Sequence, residues 1–174
     1  MNFLSFAKTE LSTALARGVR QCVLIGTRAP LSESFQSAPD GTLQVFVVGE
    51  EPLAAALEKS AFDKREASLF IWLGSAGYRT AEAVFAALSF IASLPKESGL
   101  VFDYAEERVS LGSLAHSALD ALASRVAMAG GSVKYLIDPQ AVAALLRGFG
   151  FQRIIDLAQE ELPVSGGHLV SAAI

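Results

Sequence analysis

Gly18-Val19-Arg20-Gln21-Cys22-Val23-Leu24-Ile25-Gly26-Thr27-Arg28-Ala29 is the stretch that decides how this chain reads. Cys22 to Ile25 is a short, unbroken apolar run with glycine on either side. That is the signature of a strand buried within an α/β sheet. It ends at Gly26, on the lip where such sheets bind ligands. A nucleotide-type ligand needs glycines there, so that the backbone can come close and a helix N-terminus can face it. Only Gly26 supplies one. Thr27-Arg28-Ala29-Pro30 follows where a longer glycine-rich loop is expected. The scaffold is that of a cofactor-binding fold, and the socket is altered.

Outward from this strand, helical and strand patterns alternate, which predicts an α/β sheet in a single domain spanning residues 1–174. Glu10 to Arg17 reads as a helix ending at Gly18. Thr42 to Val48 reads as the second strand, after the turn Pro39-Asp40-Gly41. Pro52 to Ser60 is a short helix with proline in its first turn. Ser68 to Leu73 and Gly99 to Tyr104 are strands. Between them Ala81 to Leu94 is a helix with Val84, Phe85, Leu88, Ile91 and Ala92 on one face, Thr80 as its cap and Pro95 as its stop. A longer helix is predicted over Val109 to Ala129, closed by Gly130-Gly131. Asp138-Pro139 opens another, with Val142, Leu145, Leu146 and Phe149 facing the core. Phe151 to Leu157 and His168 to Ala173 read as an antiparallel hairpin at the end of an otherwise parallel sheet.

The chain has 174 residues, 52% hydrophobic and 18% charged, with a mean hydropathy of +0.41. Such a chain buries a sizeable core and is not disordered. The longest apolar run, Ala83 to Leu94, is too short to span a bilayer. A net charge of −4 argues against nucleic acid as a partner. Cys22 is the single cysteine. An intrachain disulfide is therefore impossible, and no metal-ligating pattern is present. A bacterial, cytoplasmic setting follows as the expectation. High hydropathy with little charge also predicts a subunit interface: a homodimer, or a complex with another protein. Phe3, Leu4, Phe6 and Leu11 of the N-terminal segment are its expected source.

Four further segments form one ordered block. They are Phe70-Ile71-Trp72-Leu73-Gly74, Tyr78-Arg79-Thr80-Ala81-Glu82-Ala83-Val84, Phe90-Ile91-Ala92-Ser93-Leu94-Pro95 and Val101-Phe102-Asp103-Tyr104. The block resembles the leucine carboxyl methyltransferase family of S-adenosylmethionine-dependent O-methyltransferases, in its bacterial branch. Asp138-Pro139 and the run from Leu145 to Phe151 are similar to the family's late helix and strand. The resemblance implies a Rossmann-like methyltransferase sheet with helices on both faces. It also marks the departures. The family's Gly-x-Gly-x-Asp stretch before Thr-Arg-Ala is missing, most of its helical cap is gone, and the region of its third strand is compressed into Glu51 to Phe62. The losses fall around the pocket, as expected of a degenerate methyltransferase with fewer strands than a complete one.

From this resemblance and the positions at the sheet edge come the candidate residues. Gly26, Thr27 and Arg28 form the cofactor lip, with Arg28 placed to hold a carboxylate. The competing reading is a tight connection with a surface arginine. Glu50, after the second strand, is a displaced candidate for the ribose hydroxyls, or else a solvated loop residue. Ser75, Tyr78, Asp103 and Tyr104 are candidates for a substrate pocket, where packing and capping roles compete. Cys22 reads as core, and His168 as a surface residue at a strand start. No catalytic residue is assigned, because methyl transfer is largely positioning. The expectation is S-adenosylmethionine bound weakly or not at all, with a small carboxylate or hydroxyl acceptor if active. The alternative is a non-catalytic scaffold that binds or oligomerises.

Overall fold

The computed structural model describes residues 3–26, 35, 42–74, 80–105, 139–159 and 167–174. Six strands form one sheet: β1 (Gln21–Ile25), β2 (Gln44–Val48), β3 (Ser68–Trp72), β4 (Gly99–Ala105), β5 (Arg153–Gln159) and β6 (Gly167–Ala173). Their order is β2-β1-β3-β4-β6-β5. β2, β1, β3 and β4 pair in parallel, and β6 runs antiparallel to both β4 and β5. The terminal hairpin folds back so that its second strand lies inside, against β4, and its first becomes the edge. β1 is interior, one place from the β2 edge.

Alternation along each strand sends residues to two cores. One face carries Val23, Ile25, Phe70, Trp72, Leu100, Phe102 and Val170, covered by α2 (Leu53–Glu58), α3 (Ala81–Ala92) and α4 (Pro139–Phe149). The other carries Cys22, Leu24, Leu69, Ile71, Val101 and Leu169, covered by α1 (Phe3–Ala16) and Phe35. Both faces of β1 and β3 are dry, which is why their sequences show no polar alternation.

α1 starts seven residues before the predicted Glu10. Phe6, Ala7, Leu11 and Ala14 recur at helical spacing and are buried against the sheet. The apolar side chains that the sequence offered to an interface are therefore largely spent on the chain's own fold. Gly18 ends the helix at φ 94, with Val19 N–H donating to Ala14 O and Gly18 N–H to Leu15 O. That is a Schellman closure, in which only glycine adopts the turn residue's left-handed backbone freely. Gly150 closes α4 in the same way, at φ 102.

The cap predicted at Thr80 is present, its Oγ1 accepting from Ala83 N–H at 3.2 Å. The compressed segment after β2 holds only α2 and a turn. Phe62 from that turn packs edge-on to Phe46 and Phe70, with centroids 5.5 and 6.2 Å away. The turn itself is fastened by buried Gln21, whose Nε2 donates to Asp63 O while its Oε1 accepts from Asp63 N–H. The predicted helix over Val109 to Ala129, the turn Pro39-Asp40-Gly41 and the Asp138 cap lie outside the described residues.

Candidate functional site

The connections leaving β1 and β3 diverge: β2 lies to one side of β1, and β3 with all later strands to the other. The carboxyl ends of β1 and β3 therefore flank a topological switch point, where open α/β sheets leave a crevice for ligands. Gly26 stands at the end of β1 with φ 58, and Gly74 just past β3 with φ 74. These are backbone conformations that side chains disfavour. A Cβ built on Gly74 would meet nothing within 4 Å, so its requirement is conformational rather than steric. Gly26 N–H extends the β1–β2 ladder by donating to Val48 O at 2.8 Å. Glu50 follows two residues later and is exposed on the same edge of the sheet.

Asp103, on β4 next to β3, closes this edge. Its Oδ1 accepts from Gly74 N–H at 2.6 Å, so it fixes the turn after β3. Burial raises the pKa of its carboxyl. The hydrogen bonds from the backbone N–H groups of Gly74 and of Asp103 itself act in the opposite direction and do not cancel that rise.

A second polar group lies at the same end of the sheet, on the face covered by α2, α3 and α4. Tyr104 on β4 is paired in register with His168 on β6, and their rings stack at 4.8 Å and 15°. Tyr104 Oη donates to Asp156 Oδ2 at 2.6 Å, while His168 Nδ1 stands 2.6 Å from Asp156 Oδ1. Both oxygens of one carboxylate are thus engaged, and three strands are tied together through side chains. His168 is only 6% exposed. This corrects its assignment to the surface: the β4–β6 register turns it inward beside Val170 and Ala172. Asp156 escaped attention in the sequence, although a carboxylate within Ile154-Ile155-Asp156-Leu157 signals a buried partner.

The structure thus brings Gly26, Glu50 and Asp103 to one edge of the sheet. Tyr104 is there too, but buried and bonded to Asp156. Thr27, Arg28, Ser75 and Tyr78 lie outside the described residues. Cys22 is fully buried, and desolvation pushes its thiol up to about 12. No helix among the described residues is long and apolar enough to cross a membrane.

This sheet is found in solved structures of methyltransferases. It is similar to a SAM-dependent methyltransferase from Archaeoglobus fulgidus, with a TM-score of 0.60 and 13% identity over 98% of this chain and 94% of that one. It is also similar to the DszA carbon methyltransferase, with a TM-score of 0.64 and 16% identity over 98% of this chain and 53% of that one. The magnesium protoporphyrin IX methyltransferase of Synechocystis PCC 6803, solved with bound SAH, gives 0.51 at 14% identity over 98% of this chain and 82% of that one. The chain thus spans about half of the DszA enzyme, and 66% of a possible exported protein from Bordetella parapertussis with a TM-score of 0.52. No protein-family model and no curated protein matches the sequence. At these identities the likeness defines the fold: the Rossmann-like sheet of the SAM-dependent methyltransferases, with its antiparallel C-terminal hairpin.

Proposed function

We propose that the chain is an S-adenosylmethionine-dependent O-methyltransferase-like protein, allied to the leucine carboxyl methyltransferases, with a weakened cofactor site. One observation carries this reading. The switch point is built, with Gly26 and Gly74 in left-handed backbone at the ends of its two strands, yet Gly26 is the sole glycine of the first turn. A crevice of this kind admits the cofactor. Without further glycines the backbone amides that grip it have no close approach. Glu50 is the residue at hand for the ribose hydroxyls, and Arg28 for the methionine carboxylate.

When bound, S-adenosylmethionine would supply a methyl group on a sulfonium. The chain's task is then to hold an oxygen nucleophile in line with it. A carboxylate acceptor needs no base, and a hydroxyl acceptor must lose a proton. Calorimetry with S-adenosylhomocysteine tests the proposal. Binding should be weaker than micromolar, and weaker again in Glu50→Ala. Tight binding that Arg28→Ala or Glu50→Ala abolishes would show a fully competent site.

A second reading, a non-catalytic scaffold that self-associates, is favoured by two exposed side chains. Val47 on edge strand β2 is 56% exposed and Ile155 on edge strand β5 is 42% exposed, both on the α1 face. Edge strands with apolar side chains invite pairing. Sedimentation at micromolar concentration distinguishes a dimer from a monomer.

A further inference from the structure

A cavity of about 130 Å³ opens at the other end of the sheet, under the second half of α1 and beside the starts of β4 and β5. Ala14 and Leu69 supply apolar lining. Four charged side chains line it: Arg17, Arg153, Glu10 and Glu97. The two guanidiniums converge on one oxygen, Glu97 Oε2, from 3.8 and 3.9 Å. Both distances lie beyond hydrogen-bond reach. Among the described residues neither guanidinium makes a hydrogen bond to any other group. This contrasts with Arg65, forked onto Asp63 at 2.7–3.2 Å, and Arg20, which donates to two carbonyls at 2.9 Å.

Glu97 lies between the two arginines in a turn closed by Ser98 N–H donating to Pro95 O, at a backbone φ of 74 that is uncommon outside glycine. It is the only such non-glycine residue among the described ones. Sites that keep such backbone are often binding sites. On the opposite wall Glu10 reaches from α1 to β6. One of its oxygens, Oε2, accepts from Ser171 Oγ at 2.6 Å, which fixes the carboxylate at the cavity.

We propose that this cavity is a binding site for a small zwitterion of the α-amino acid type. Two guanidiniums with unused donors suit a carboxylate, which arginine grips by parallel N–H···O bonds. The two carboxylates of the same lining suit an ammonium. With two positive and two negative side chains the lining is balanced, so it favours a ligand carrying both charges over a simple anion. A space of about 130 Å³ has room for several waters, and so for a small ligand. The site is remote from the switch point and does not depend on any methyl transfer.

The test is calorimetric titration of the full chain with L-serine as probe, alongside acetate and methylammonium as half-ligands. L-serine should bind saturably in the millimolar range, with each half-ligand at least about tenfold weaker. Arg17→Gln and Arg153→Gln should each weaken L-serine at least about tenfold, the loss of roughly one charge-assisted bond. Both side chains are 39–49% exposed, so folding should persist, as Trp72 fluorescence would confirm. No saturable heat with L-serine, unchanged affinity in both variants, or acetate binding as well as L-serine would overturn the proposal.

Discussion

Replacing Asp103 in two ways separates its charge from its hydrogen bond. In Asp103→Asn the side-chain oxygen can still accept from Gly74 N–H, which stands 2.6 Å from Oδ1. In Asp103→Ala the acceptor is gone. Because burial raises the Asp103 carboxyl pKa despite its backbone hydrogen bonds, ionisation is harder in the folded chain than in the unfolded one. The folded state therefore binds more protons between the two pKa values. The stability Asp103 contributes is fully present below its unfolded pKa of about 3.9 and falls as pH rises towards the folded value. Asparagine resembles the neutral acid and carries no such slope. At neutral pH Asp103→Asn should match or exceed the wild type. Asp103→Ala should fall about 1 kcal/mol below Asp103→Asn, the net worth of the hydrogen bond that the exposed Gly74 N–H loses. With a urea slope of about 2 kcal/mol per molar, that is a midpoint difference of roughly 0.5 M. Trp72, buried at the end of β3 two residues before Gly74, is the natural fluorescent reporter. Urea melts from pH 4 to pH 8 provide the assay. A stability advantage of wild type over Asp103→Asn that grows with pH would show instead that the folded chain favours the ionised carboxyl.

Other outcomes follow from single features. Cys22, fully buried with its thiol pushed up to about 12, should resist a disulfide reagent at pH 8 until the chain opens, so its labelling rate reports unfolding. Leu11→Ala should lower urea stability by about 2–3 kcal/mol through a cavity under α1, and sedimentation should show the oligomeric state unchanged. Gly150→Ala should cost about 1–2 kcal/mol in the same melts. The built Cβ meets nothing within 4 Å, so the penalty comes from the backbone at φ 102 alone.

β1 and β3 were legible because burial on both faces leaves no polar alternation, and Gly26 and Gly74 mark their ends. The terminal hairpin was legible from its alternation and turn, but not its inversion in the sheet, since strand order depends on long-range pairing. The same pairing explains His168. Its inward face is set by register with Tyr104 on β4, a relation that no local pattern encodes. α1 was read too short: Ala7, Leu11 and Ala14 keep helical spacing, and Thr9, a capping residue type, lies inside the helix with its Oγ1 donating to Ser5 O. At the site, Gly26, Glu50 and Asp103 could be placed on one edge from strand ends alone. The bond from Gly74 to Asp103 could not, because it joins turn and strand 29 positions apart.

The proposed weak grip of the switch point on its cofactor can be read residue by residue. Backbone amide chemical shifts during titration with S-adenosylhomocysteine test it most directly. Shifts in fast exchange at Gly26, Glu50 and Gly74, still growing at millimolar ligand, are the expected result. Saturation at micromolar ligand, or shifts confined to residues away from the ends of β1 and β3, would contradict it.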